Sequence, residues 1–64
     1  MDNREIWESA NRLVNRYGND ADVVAGSRAV EFLKRAYPKD AAVWRRIVRA
    51  IKELERTEAA GPIH

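Results

Sequence analysis

The side chains able to do chemistry in this chain are few and scattered. The one histidine, His64, is the last residue. A general base must be held within hydrogen-bond reach of the proton it takes. An end segment that follows Gly61-Pro62 is expected to fray instead. The hydroxyls Ser9, Ser27 and Thr57 have no ordered base beside them. The carboxylates Glu5 and Glu8 flank Arg4 and Arg12, and Glu8 with Arg12 has the i, i+4 spacing of an ordinary helix-surface ion pair. There is no cysteine, which excludes a disulfide and a thiolate metal site. No set of nucleophile, base and oxyanion donor emerges. The expectation is a protein that is not an enzyme, with no catalytic residue, no metal, no cofactor and no small-molecule substrate.

The cations are more informative. Residues 1–33 hold four basic and six acidic residues, a net of −2, whereas residues 34–64 hold eight basic and four acidic, a net of +4. Arg45, Arg49, Lys52 and Arg56 fall at i, i+4, i+7 and i+11, one continuous stripe of a helix, with Arg46 a step to its side. Such a stripe matches phosphate contacts to a nucleic acid. It also lies opposite the apolar face of the same segment, where any soluble helix carries its charges. The net charge of +2 is small for a nucleic-acid binder. The exposed face offers no Asn, Gln or Ser, so base readout would rest on arginine alone.

Three amphipathic segments must position these groups. Ile6, Trp7, Ala10, Leu13, Val14 and Tyr17 share one face of a 3.6-residue period, which predicts a helix over about 3–17. Asp2 or Asn3 caps its start, Glu5 completes a capping box with Asp2, and Gly18 suits a left-handed residue past its end. The second segment, about 20–36, starts at an Asn19-Asp20 cap and presents Ala21, Ala25, Ala29, Phe32, Leu33 and Ala36 on one face. Small residues at Ala25, Gly26 and Ala29 favour close approach of another helix. Pro38 disfavours helical geometry at Tyr37 and so ends this helix. The third segment, about 40–57, is capped by Asp40 and lines up Val43, Trp44, Ile47, Ala50, Ile51 and Leu54.

Length bounds what these helices can build. With 64 residues the chain forms one domain at most. A domain of about 60 residues buries only roughly 60% of its unfolded surface and is marginally stable. No run of about 18 apolar residues exists, and the polar start Met1-Asp2-Asn3-Arg4-Glu5 has no signal-peptide apolar region, so the expectation is a cytoplasmic protein that does not enter membranes. Glu53, Glu55 and Glu58 also weigh against an anionic membrane surface as the partner of the third helix.

The pattern of Trp7, then Tyr17-Gly18-Asn19-Asp20-Ala21, then Ala25, Arg28, Ala29 and Leu33, then Trp44, Ile47, Ala50, Ile51 and Leu54 resembles a family of small uncharacterised alphaproteobacterial proteins, a domain of unknown function. Tyr37-Pro38-Lys39-Asp40 stands where that family has a Gly-Asp connection. The resemblance implies a helical bacterial protein and no particular activity.

These readings define an all-α, compact three-helix bundle over 1–58 with a flexible tail at 59–64. The core is expected to draw on Ile6, Trp7, Ala10, Leu13, Val14, Tyr17, Ala25, Ala29, Phe32, Leu33, Val43, Trp44, Ile47, Ile51 and Leu54. Val23, Val24, Val30 and Val48 widen the apolar stripes beyond what two neighbouring helices cover. The leading expectation is a non-enzymatic accessory, regulatory or inhibitor protein of a larger complex. It would act through protein contacts or self-association, with Val24, Trp44 and Val48 at the interface. The alternative is a small nucleic-acid-binding protein using Arg45, Arg46, Arg49, Lys52 and Arg56.

Overall fold

A computed structural model describes residues 2–60 of the chain, with side-chain surroundings for residues 2–56. The described residues are helical throughout, apart from short connections. Helix α1 (Asn3–Tyr17) passes through a single 3₁₀ turn, Gly18–Asp20, into α2 (Ala21–Lys34), and a tight turn leads to α3 (Pro38–Ala60). No extended segment separates α1 from α2. The first half of the chain is therefore one helical path bent at Gly18, and it folds back against α3.

The start of α1 is the capping box its sequence encodes. The Asp2 carboxylate accepts from the Glu5 N–H at 2.9 Å, and the Glu5 carboxylate accepts from the Asp2 N–H at 3.3 Å. The two bonds satisfy donors that the first helical turn leaves open. At the other end the Gly18 N–H donates to the Val14 carbonyl, and Gly18 takes φ 59° with ψ −127°. That combination is open only to glycine at low cost. It redirects the chain into the 3₁₀ turn. The cap expected from Asn19-Asp20 is not formed: Asp20 makes no capping bond, and the Ala21 N–H donates instead to the Gly18 carbonyl. The turn itself serves the start of α2.

The α2–α3 junction also differs from expectation. Helix α2 ends at Lys34, earlier than the expected Ala36, and α3 begins at Pro38, before the expected cap Asp40. The reason is a Schellman motif. Tyr37 N–H donates to the Phe32 carbonyl at 2.8 Å and Ala36 N–H donates to the Leu33 carbonyl at 3.0 Å. Ala36 holds the left-handed position at φ 64°. The apolar contact that accompanies such turns is Phe32 with Tyr37, whose rings meet edge to face at 6.3 Å. Pro38 then occupies the first position of α3, where its missing N–H and fixed φ cost nothing. Asp40 sits in the first turn of α3, favourable to the helix dipole, without being the cap. Ala59 and Ala60, both expected in the tail, are the last residues of α3, and 61–64, His64 among them, lie outside the described residues.

The buried core is built mostly of alanine. Ile6, Ala10, Ala21, Ala25, Ala29, Ala41, Ile47, Ala50 and Ile51 are buried, with Leu13, Val14, Tyr17, Val43, Trp44, Val48 and Leu54 packed partly around them. Small residues on both α2 and α3 allow the two axes to approach closely, and α2 with α3 is the most extensive pairing in the molecule. Two expected core residues are outside. Trp7 is 38% exposed and Leu33 is 45% exposed. Trp7 follows the buried Ile6 by one residue, about 100° of helix rotation off it, whereas Leu33 continues the four-residue repeat of Ala21, Ala25 and Ala29 but falls in the last turn of α2, past the end of its buried stretch.

Candidate functional site

Helix α2 carries apolar residues on two faces. Ala21, Ala25 and Ala29 repeat every four residues and are buried against the rest of the fold. Val23, Gly26, Val30 and Leu33 repeat at i, i+3, i+7 and i+10, another edge of the helix. There Val23 is 64% exposed and Val30 is 50% exposed. Tyr37, past the helix end, is also exposed and packs on Phe32. Val23, Val30 and Leu33 are thus outside and the alanines inside, with Val24 and Phe32 half-buried between them.

Between this edge and α3 runs an open groove of about 380 Å³, lined by Gly26, Ala29, Val30, Leu33, Arg45, Val48 and Arg49. Gly26 deepens it, because a β-carbon there would meet open space. The floor is apolar and the α3 rim is cationic. Neither Arg45 nor Arg49 forms an ion pair with a described side chain. For Arg45 the sequence explains why: its helical neighbours at i−4, i−3, i+3 and i+4 are Ala41, Ala42, Val48 and Arg49, so no carboxylate of its own helix reaches it.

The residues picked out from the sequence are divided by the fold. Val48 lines the groove. Val24 and Trp44 do not: both are half-buried, and the Arg28 guanidinium stacks over the Trp44 ring at 5.3 Å. Val24 and Arg28 share one edge of α2, whereas Gly26, Val30 and Leu33 share another. Sequence reasoning placed Leu33 in the core and left Val30 and Gly26 out of the interface. The signal that could have found them is the i, i+3, i+7, i+10 spacing from Val23 to Leu33.

The basic stripe is likewise divided. Arg45, Arg46, Arg49 and Lys52 are exposed on α3. Arg56 is held by Glu53 in a hydrogen-bonded ion pair, which lowers its charge toward a partner. A second, smaller depression of about 140 Å³ lies between α1 and α3, lined by Asn3, Ile6, Trp7, Arg46, Arg49, Ala50 and Glu53. Arg49 borders both depressions. On α1, Glu8 pairs with Arg4 at 3.6 Å and not with Arg12 as its spacing suggested. Arg4 at i−4 and Arg12 at i+4 are equivalent neighbours of Glu8, and an exposed pair of either kind contributes little.

Among the described residues no polar or charged side chain is buried, and no three of His, Cys, Asp and Glu gather as a metal site. Ser9 is half-buried on α1 and Ser27 is exposed on α2. The side chain of Thr57 and all of His64 lie outside the described residues. No helix among them is long and apolar enough to cross a membrane. No protein-family model, curated protein or solved structure gives a significant match to the chain.

Proposed function

We propose that this protein is a three-helix module that acts by binding a segment of another protein, as an accessory or regulatory part of a larger assembly and without catalysis. One observation carries the reading: α2 buries its alanines and exposes Val23, Val30 and Leu33 beside an open groove. A helix that is apolar on more than one face belongs in an interior. The surface of a chain this small is more economically apolar where something covers it, and a contiguous exposed apolar patch marks an interaction site. Cover for this face also offsets the marginal stability of a domain of this size. The resemblance to small alphaproteobacterial proteins of unknown function is compatible with such a role and adds no activity to it.

The test is affinity capture from nuclease-treated lysate, comparing the native chain with Val30→Asp and Leu33→Asp. Both side chains are about half exposed, so circular dichroism should show the helical content unchanged. A partner retained by the native chain and lost by both variants supports the reading. Retention by the variants overturns it.

A second reading has its own observation: Arg45, Arg46, Arg49 and Lys52 are exposed cations in no ion pair with a described side chain. Contact with duplex DNA would show a salt slope of about −0.9 per phosphate neutralised. Binding indifferent to salt, or unchanged when Arg45, Arg46, Arg49, Lys52 and Arg56 are neutralised, removes this reading.

A further inference from the structure

We infer that the occupant of the α2–α3 groove is an acidic amphipathic helix of a partner protein, with its apolar residues over Val30, Leu33 and Val48 and its carboxylates against Arg45 and Arg49. The inference rests on the protein-docking reading and names the chemistry of the partner.

The floor fixes the apolar half. A groove of about 380 Å³ is more than twice the roughly 150 Å³ that accommodates a benzene ring. It takes more than one bulky side chain, as a helix docking through anchors at i, i+3 or i+4 and i+7 presents. A phosphate backbone has nothing to set against Val30, Leu33 and Val48.

The rim fixes the charged half. Arg45 and Arg49 stand one helical turn apart beside Val48, and neither is neutralised by a described side chain. Lys34 follows Val30 by four residues and adds a cation on the α2 side, while Asp22 lies a turn before Gly26. The rim is therefore cationic over most of its length. A carboxylate from the partner would meet two guanidinium groups able to bind it in a fork geometry. A second copy of this chain is disfavoured by the same charges. In an isologous pair the same patch meets itself, and the groove's cationic rims would face each other with few acids to answer them.

The experiment uses a displayed library of amphipathic helices about 15 residues long, enough for marginal helicity in isolation. Each member has leucine at i, i+3 and i+7 and random residues beside them. Selection is on the full chain, with counter-selection on Val30→Asp. The expected result is enrichment of Glu and Asp at the random positions. By fluorescence anisotropy the best peptide should then lose about tenfold in affinity on Arg45→Glu/Arg49→Glu. It should recover when its own acids are changed to lysine. Enrichment of neutral or basic flanks, still dependent on Val30, overturns the acidic partner and leaves docking standing. Failure to enrich anything that distinguishes the native chain from Val30→Asp overturns both. A dimer in sedimentation that Val30→Asp dissolves makes a second copy the occupant and overturns the inference. Duplex DNA that displaces the selected peptide from the groove also overturns it, in favour of phosphate recognition.

Discussion

Helices α1 and α2 are nearly equal in length, 15 and 14 residues, and both pack on α3. They distribute their residues in opposite ways. Helix α1 buries Ile6 and Ala10, half-buries Leu13, Val14 and Tyr17, and turns Arg4, Glu5, Glu8, Asn11, Arg12, Asn15 and Arg16 to solvent. Only Trp7 breaks that division, at the lip of the small depression on α3. Helix α2 buries Ala21, Ala25 and Ala29 and leaves Val23, Val30 and Leu33 outside. The first pattern is complete within one chain. The second leaves three large apolar side chains uncovered, and in the proposed reading a partner covers them. Burial of large apolar groups drives association roughly in proportion to area. A helix that withholds them from its own core is where a partner gains most.

Substitutions break this comparison at different points. Ile6→Ala removes bulk from the inner face of α1 and should cost about 2–5 kcal/mol. In so small a domain that is enough to lower the urea midpoint drastically or abolish the transition. Ala25→Leu does the reverse on α2, adding bulk at a fully buried position. It should cost roughly 1–3 kcal/mol through overpacking, read by the same titration. The contrast is specific: on α1 a deletion does the damage, on α2 an insertion.

The two turns that bound α2 should respond with opposite signs. Gly18→Ala forces a β-carbon into a positive-φ backbone and should destabilise by about 1 kcal/mol or more, although the space around it is open. Ala36→Gly relieves the left-handed alanine of the Schellman turn and should stabilise by about 0.5–1 kcal/mol. Thermal melts of the pair check both. The smallest expected effect is the most useful. Val30→Asp on the outer edge of α2 should change folding stability by no more than about 0.5 kcal/mol while removing partner binding. A large loss of stability would place Val30 in the fold's own packing and end the contrast between the two helices.

Much of this was legible from residue order alone. The capping box of Asp2 and Glu5, the extent of α1 and the inward alignment of Ile47 and Ile51 follow from spacing and local hydrogen bonding. The termini of α2 were less legible. Asn19-Asp20 reads as a side-chain cap, yet a backbone 3₁₀ turn serves that end. Pro38 signals a break, and whether it ends one helix or begins the next depends on the Ala36 backbone, which its residue type does not announce. The candidate site was half legible. Val48, expected at an interface, lines the groove, and Val23 and Val30 were seen to widen an apolar stripe, but Leu33 was assigned inward, and Trp44, expected both in the core and at an interface, is half-buried under Arg28.

The sequence by itself determined that the described chain is helical, where the apolar edges of each helix run and that α3 carries the cations. These are local properties, set by period and propensity within a few residues. Which apolar edge of α2 would be covered was decided only by tertiary packing. Hydrophobicity alone favours hiding Val23, Val30 and Leu33. The packing of α2 on α3 instead covers the alanine edge, a choice set by contacts between elements distant in sequence, which no local period or propensity contains. That choice left the valines and leucine beside Arg45 and Arg49, on a surface no single helix encodes.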